Sequence, residues 1–77
     1  MKKEIEDWNK IVGKNIRKYR REHHETQEML GEYIGYGATT IANYEKGERM
    51  PDLVIAYQIA RHYQISMDDL MRRAHES

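Results

Sequence analysis

Seventy-seven residues without a cysteine allow one small domain, near the lower size at which a single core holds a chain folded, and exclude disulfides and thiolate metal sites as staples. Thirteen Lys/Arg against thirteen Asp/Glu give a formal net charge of zero. The start, "MKKEIEDWNKIVG", is charged throughout, with no apolar run of the kind a signal peptide needs, and no stretch approaches the length of a bilayer span. A soluble cytoplasmic domain is therefore expected, stabilised by economical helix packing or by self-association.

The chain reads as helices, with one proline, Pro51, and glycines at 13, 31, 35, 37 and 47 as punctuation. Ile5, Trp8, Val12, Ile16 and Tyr19 follow steps of 3, 4, 4 and 3, which predicts a first helix from about Ile5 to Glu22, broken or bent at Gly13. It ends in "HHE", where a histidine tolerates positive φ better than most residues. Thr26 is the N-cap of a second helix, 27–34, with Glu28 in its first turn; Leu30 and Ile34 are its core residues, with Met29 or Tyr33 beside them.

Gly35 ends that helix and Tyr36 fills the turn. A third helix begins near Ala38, buries Ile41 and Tyr44, and stops at Gly47. "GERMPD" is a loop closed by Asp52, the N-cap of a fourth helix over 53–63 that places Leu53, Ala56, Ala60 and Tyr63 on its buried face. Ser66 caps a short last helix, with Asp69 three residues later in a capping-box arrangement. The expectation is a compact all-α domain of five helices.

Charge is distributed unevenly along these elements. Residues 1–24 hold eight Lys/Arg against four acids, and residues 25–48 hold one against five. Most of the excess lies in "KNIRKYRR" at 14–21, either a solvated helix face or a basic footprint. The segment "QEMLGEYIGYGATTIANYEKG", 27–47, has the spacing of a DNA-reading unit, yet it carries three glutamates and a single lysine. Phosphate neutralisation dominates most DNA affinity, so the positive charge must come from elsewhere in the fold.

The pattern I-R-x-x-R, T-Q-E-x-L, a glycine at the turn, "TIANYEKG", then P-D-L and I-A resembles the helix-turn-helix domain of the XRE/Cro family. Ile16, Arg20, Gln27, Leu30, Gly35, Ile41, Glu45, Gly47, Pro51 and Ala60 carry it, over Ile11 to Leu70. The resemblance implies a lambda-repressor-like fold: residues 1–10 an N-terminal extension of the first helix, 11–73 the DNA-binding domain, 74–77 a tail. It implies a sequence-specific transcriptional regulator, a repressor by preference, bound as a homodimer to a pseudo-palindromic operator in double-stranded DNA.

By the same resemblance the third helix enters the major groove with Gly37, Ala38, Thr39, Thr40 and Asn43 toward base edges. Threonine and alanine offer methyls to thymine, and asparagine can pair with adenine in bidentate fashion. Thr26 and Gln27 would meet a phosphate at the start of the second helix, and Lys46 and Arg49 would meet the backbone from the loop that follows. Arg20 and Glu45 would form an ion pair joining the first helix to the third.

Three positions depart from the family pattern. Gly31 stands where a small alanine is usual, permitting close helix approach at a propensity cost of about 1 kcal/mol. Gly37 replaces the usual Ser or Thr cap of the third helix. Glu25 replaces an apolar residue, so a hydrophobic staple is lost. With no Arg or Gln in the first turn of the reading helix, sequence preference is expected to lean on methyl contacts and DNA shape, toward A·T-rich sites.

The fourth helix exceeds the family's needs, because Val54 and Ile55 add apolar side chains to "LVIAY" off the expected buried face. Two accounts compete: the N-terminal segment folds back over them, or they form a dimer contact. The dimer is preferred for Val54 and Ile55, with Met67 and Met71 as adaptable additions. Ile5 and Trp8 are then intramolecular cover.

Enzymatic chemistry is not expected. His23, His24, His62 and His75 form no i,i+4 pair, and no nucleophile sits beside a base, so no catalytic, metal or cofactor site is assigned. The competing function is an antitoxin or protein-interaction module that keeps the fold with weak DNA binding or none. Regulation would then run through a protein partner such as a toxin or an anti-repressor, through proteolysis or through concentration.

Overall fold

A computed structural model describes residues 7–73. Five helices follow in order: α1 (Trp8–Glu22), α2 (Gln27–Ile34), α3 (Ala38–Lys46), α4 (Leu53–His62) and α5 (Met67–Met71). Their core is Val12, Ile16, Leu30, Ile34, Ile41, Tyr44, Ile55, Ala56, Ile59, Tyr63 and Leu70, with Tyr19, Ile65, Met67 and Met71 packed at its edge.

The caps lie where side-chain chemistry puts them. Thr26 Oγ1 accepts from the Met29 amide at 3.0 Å, Asp52 Oδ1 from the Ile55 amide at 2.8 Å, and Ser66 and Asp69 exchange reciprocal bonds at 2.9 and 3.1 Å. Gly35 and Gly47 end α2 and α3 at φ of 87° and 82°. Gly37 caps α3 with no side-chain bond. The turn after α1 places His24 at φ 56°, and an analogous residue after α4, Gln64, adopts 58°, which no sequence signal marked.

α1 runs unbroken through Gly13, contrary to the expected break. Gly13 is instead the contact point with α3, where a Cβ would overlap the Tyr44 carbonyl oxygen and approach that of Glu45 to 2.9 Å. Gly31 has the same function between α2 and the turn, where a Cβ would lie 2.7 Å from the Tyr36 carbonyl oxygen. These two approaches press α3 between α1 and α2.

α4 is rotated from the expected face. Ile55 is 7% exposed and belongs to the core with Ala56, Ile59, Ala60 and Tyr63, while Leu53 is 75% exposed. The step of 100° per residue explains the correction: Ile55 and Ile59 stack one turn apart at the centre of the stripe, and Leu53 lies 200° from Ile55. Ile55 is therefore not a surplus residue available to a partner. Trp8 is 44% exposed, so it does not supply the expected buried cover, and Ile5 lies outside the described residues. Met29 and Tyr33 are exposed rather than part of the α2 core face, and Tyr33 stacks on His62 with ring centroids 4.1 Å apart.

Asn15 is the buried polar residue of the described core. Its amide donates to the carbonyl oxygens of Leu70 and Arg72, both at 2.7 Å, and so satisfies the C-terminal end of α5 from α1.

Candidate nucleic-acid interface

A charged network fixes α3 to the scaffold. Arg20 of α1 donates from Nε to Glu45 Oε2 at 2.6 Å and from Nη2 to Oε1 at 3.0 Å, a bidentate arrangement. The two side chains are only 12% and 5% exposed. Hydrogen bonding to Glu45 raises the Arg20 pKa above its ordinary value, more than burial lowers it. The third donor, Nη1, reaches the Glu25 carbonyl oxygen at 2.6 Å. Gln27 Nε2 joins from α2, donating to Glu45 Oε1 at 3.1 Å. One carboxylate at the end of α3 thus gathers α1 and α2, and Arg20 neutralises its charge inside the fold.

Glu25, the position of the lost staple, has its own partners. Its carboxylate accepts from the Tyr63 hydroxyl at 2.9 Å and lies 2.8 Å from His62 Nε2. Burial, then the hydrogen bond to Glu25, pushes the Tyr63 phenol well up. A polar clamp between the α1–α2 turn and the end of α4 replaces an apolar one. Sequence reading missed it because the partners are 37 and 38 residues apart.

The outer surface of α3 carries the remaining candidates. By the helical step, Thr39, Asn43 and Lys46 lie opposite the Ile41 core position, while Thr40 turns to one flank. Thr39, Lys46 and Arg49 are exposed, and Ala38, Thr40 and Asn43 are half-buried. The loop after α3 folds back on it: the Glu48 and Arg49 amides both donate to the Asn43 carbonyl oxygen, at 2.9 and 3.4 Å. Thr26 lends its oxygen to the α2 cap, which leaves its hydroxyl proton free to donate outward. Gln27 is engaged by Glu45, so its amide is held at the start of α2 with its position set.

Positive charge is concentrated on α1. Lys10, Lys14, Arg17 and Arg21 are exposed and follow steps of 4, 3 and 4, which places them on one face. Lys10 packs beside Gly47 at the end of α3, so this face adjoins α3. Among the dimer candidates, Val54 is 63% exposed next to exposed Leu53 and Tyr57, whereas Met67 and Met71 are half-buried against the core. Among the described residues no group of three or more His, Asp or Glu is placed to hold a metal, and no helix is long and apolar enough to cross a membrane.

Similarity to known proteins identifies the family. A helix-turn-helix family model matches residues 16–70. An HTH-type transcriptional regulator of Archaeoglobus fulgidus is 40% identical over 55 residues, covering 71% of this chain and 79% of the relative. One from Sinorhizobium fredii is 30% identical over 71 residues, 92% of each chain. Among solved structures, the P22 c2 repressor, crystallised in complex with a synthetic operator, matches with a TM-score of 0.75 and 26% identity, over 80% of this chain and 94% of that one. The chain belongs to the helix-turn-helix family of DNA-binding transcriptional regulators, which are not enzymes.

Proposed function

We propose that the chain is a repressor that binds a pseudo-palindromic operator as a homodimer, reading the major groove with α3. The observation that carries this reading is the Arg20–Glu45–Gln27 network: it fixes α3 to α1 and α2 while leaving Thr39, Asn43 and Lys46 on its outer surface. Gly37, Ala38, Thr39, Thr40 and Asn43 face base edges, and Thr26, Gln27, Lys46 and Arg49 meet the sugar–phosphate backbone. The basic face of α1 supplies the long-range attraction that the acidic segment lacks. The P22 c2 neighbour, described with its operator, supports the DNA-bound state.

One copy covers about half of an ordinary operator, so two copies must present their reading helices to successive major-groove faces about 34 Å apart. The shared surface is the outer face of α4, with Val54 joined by Leu53 and Tyr57 in place of the buried Ile55. Such a face is self-complementary about a twofold axis. Met67 and Met71 are half-buried against the core rather than exposed like Val54. A protein partner such as a toxin or an anti-repressor would act on the same assembled form.

Selection of bound duplexes from a random library, read by mobility shift at low salt, tests the reading. The expected result is an enriched site of two inverted half-sites whose centres are about one helical turn apart. No retarded DNA at low salt would assign the chain to the interaction-module class instead.

A further inference from the structure

Tyr36 was given no function by its sequence context, and its main chain is pinned. Its amide donates to the Gly31 carbonyl oxygen at 2.7 Å, closing the left-handed turn after α2. In turns of this kind the residue after the glycine commonly packs on the side chain at the position that accepts this bond. That position is Gly31, which has no side chain to offer. The Tyr36 ring is therefore released to the surface, where it is half exposed.

There it lines a cleft of about 400 Å³ together with Thr40, Asn43, Tyr44, Arg49, Met50 and Asp52. The cleft runs between one flank of α3 and the loop at 48–52. Its lining residues include several whose side chains carry donors: Arg49, Asn43, Thr40, Tyr36 and Tyr44. Burial first, then Tyr36 and Asp52, raise the Tyr44 phenol above its ordinary value, while Arg49 acts in the opposite direction. Tyr44 thus stays a neutral donor at physiological pH. The lining carboxylate, Asp52, accepts from the Ile55 amide at 2.8 Å at the α4 N-terminus, where the helix dipole offsets its charge.

We propose that this cleft seats one backbone phosphate of the bound DNA, with Tyr36 and Arg49 as its two walls, so that Tyr36 positions the reading helix on the duplex. The inference rests on the DNA-binding reading above. A phosphodiester carries one negative charge and only acceptors, which fits one cation surrounded by neutral donors. When the outer surface of α3 enters the major groove, its flanks meet the groove walls, and those walls are phosphate. Asn43 lies at the border and links the base-reading surface to this seat. Tyr36 is then a positioning residue: its loss lowers affinity for every sequence alike.

Fluorescence-anisotropy titrations test this on the selected operator and on a scrambled duplex, each over a salt series, with circular dichroism as the check on folding. Tyr36→Ala is expected to weaken both duplexes by the same factor. Tyr36→Phe, which keeps the ring and fold, is expected to lose about fivefold on both through the missing hydroxyl. Arg49→Ala is expected to lower the salt slope by about 1. Tyr36→Phe binding both duplexes as the wild type does would overturn the proposal, as would a loss confined to the operator, which would make Tyr36 a base reader. A saturable response of the Tyr36 and Arg49 amides to millimolar inorganic phosphate, with DNA binding unchanged in Tyr36→Phe, would reassign the cleft to free phosphate. Wild type that binds neither duplex would remove the parent reading as well, a result distinct from all of these.

Discussion

At Gly31, helix propensity and packing pull in opposite directions. Alanine is a better helix former by about 1 kcal/mol. A Cβ there would nevertheless stand 2.7 Å from the Tyr36 carbonyl oxygen and 2.8 Å from Gly37, and both are backbone atoms that cannot swing away. Overpacking of this kind costs about 1–3 kcal/mol, so Gly31→Ala is expected to lower the melting temperature. A raised melting temperature would mean that the α2–α3 turn relaxes freely. Arg20 poses a question of charge. It is bonded to Glu45 twice and to the Glu25 carbonyl, whereas Lys18 is exposed with its ammonium 4.8 Å from the Tyr19 ring. Removing one partner of a buried pair leaves the other uncompensated, so Arg20→Ala is expected to cost about 3 kcal/mol, far more than Lys18→Ala. Thermal melts of Arg20→Ala, Glu45→Gln and the double variant measure the coupling, and strictly additive losses would contradict it.

At the scale of elements, α4 and α5 depend on contacts that differ in how visible they are in sequence. Ile55→Ala is expected to cost about 2–5 kcal/mol, because the side chain is enclosed by the core. Val54→Ala should lie within about 0.5 kcal/mol at concentrations too low for self-association. Denaturant melts that reverse this order would restore the unrotated α4. α5 has five residues and leans on Asn15 for its last carbonyls. Asn15→Ala is expected to speed amide exchange over 67–71 well before the rest of the domain opens, since each orphaned buried carbonyl costs about 1–3 kcal/mol. The five elements, their glycine stops and the caps at Thr26, Asp52 and Ser66 were legible because caps and stops are local chemistry. The rotation of α4 was not, because Leu53 and Ile55 are equally apolar and only the position of Ile59 in the assembled core decides between them. The Glu25 clamp and the Asn15 cap were illegible for a related reason: each joins residues more than thirty positions apart. On α3, the residue types and spacing of Thr39, Thr40 and Asn43 were readable, but the flank shared by Thr40 and Tyr36 emerged only from the folded loop at 48–52.

For the molecule as a whole, zero net charge hides a division of labour. The acids of 25–48 are partly internal, and the cations stand on the exposed face of α1, so attraction to DNA is local and should be strongly screened by salt. With dimensions of 38 × 24 × 20 Å, one copy is of a size to meet a single major-groove face, and the proposed tight binding uses two copies. Val54→Glu places a charge twice at the proposed twofold contact and is expected to give a folded monomer by sedimentation equilibrium, with operator affinity sharply reduced; a variant that remains dimeric would move the interface elsewhere. If the outer surface of α3 reads bases, the most direct measurement is the affinity of Thr39→Ala/Asn43→Ala for the selected operator and for a scrambled duplex. The expected result is a loss of about 1–3 kcal/mol per base contact on the operator, a markedly smaller loss on the scrambled duplex and an unchanged circular dichroism spectrum. Operator affinity equal to that of the wild type, with the fold intact, would contradict it.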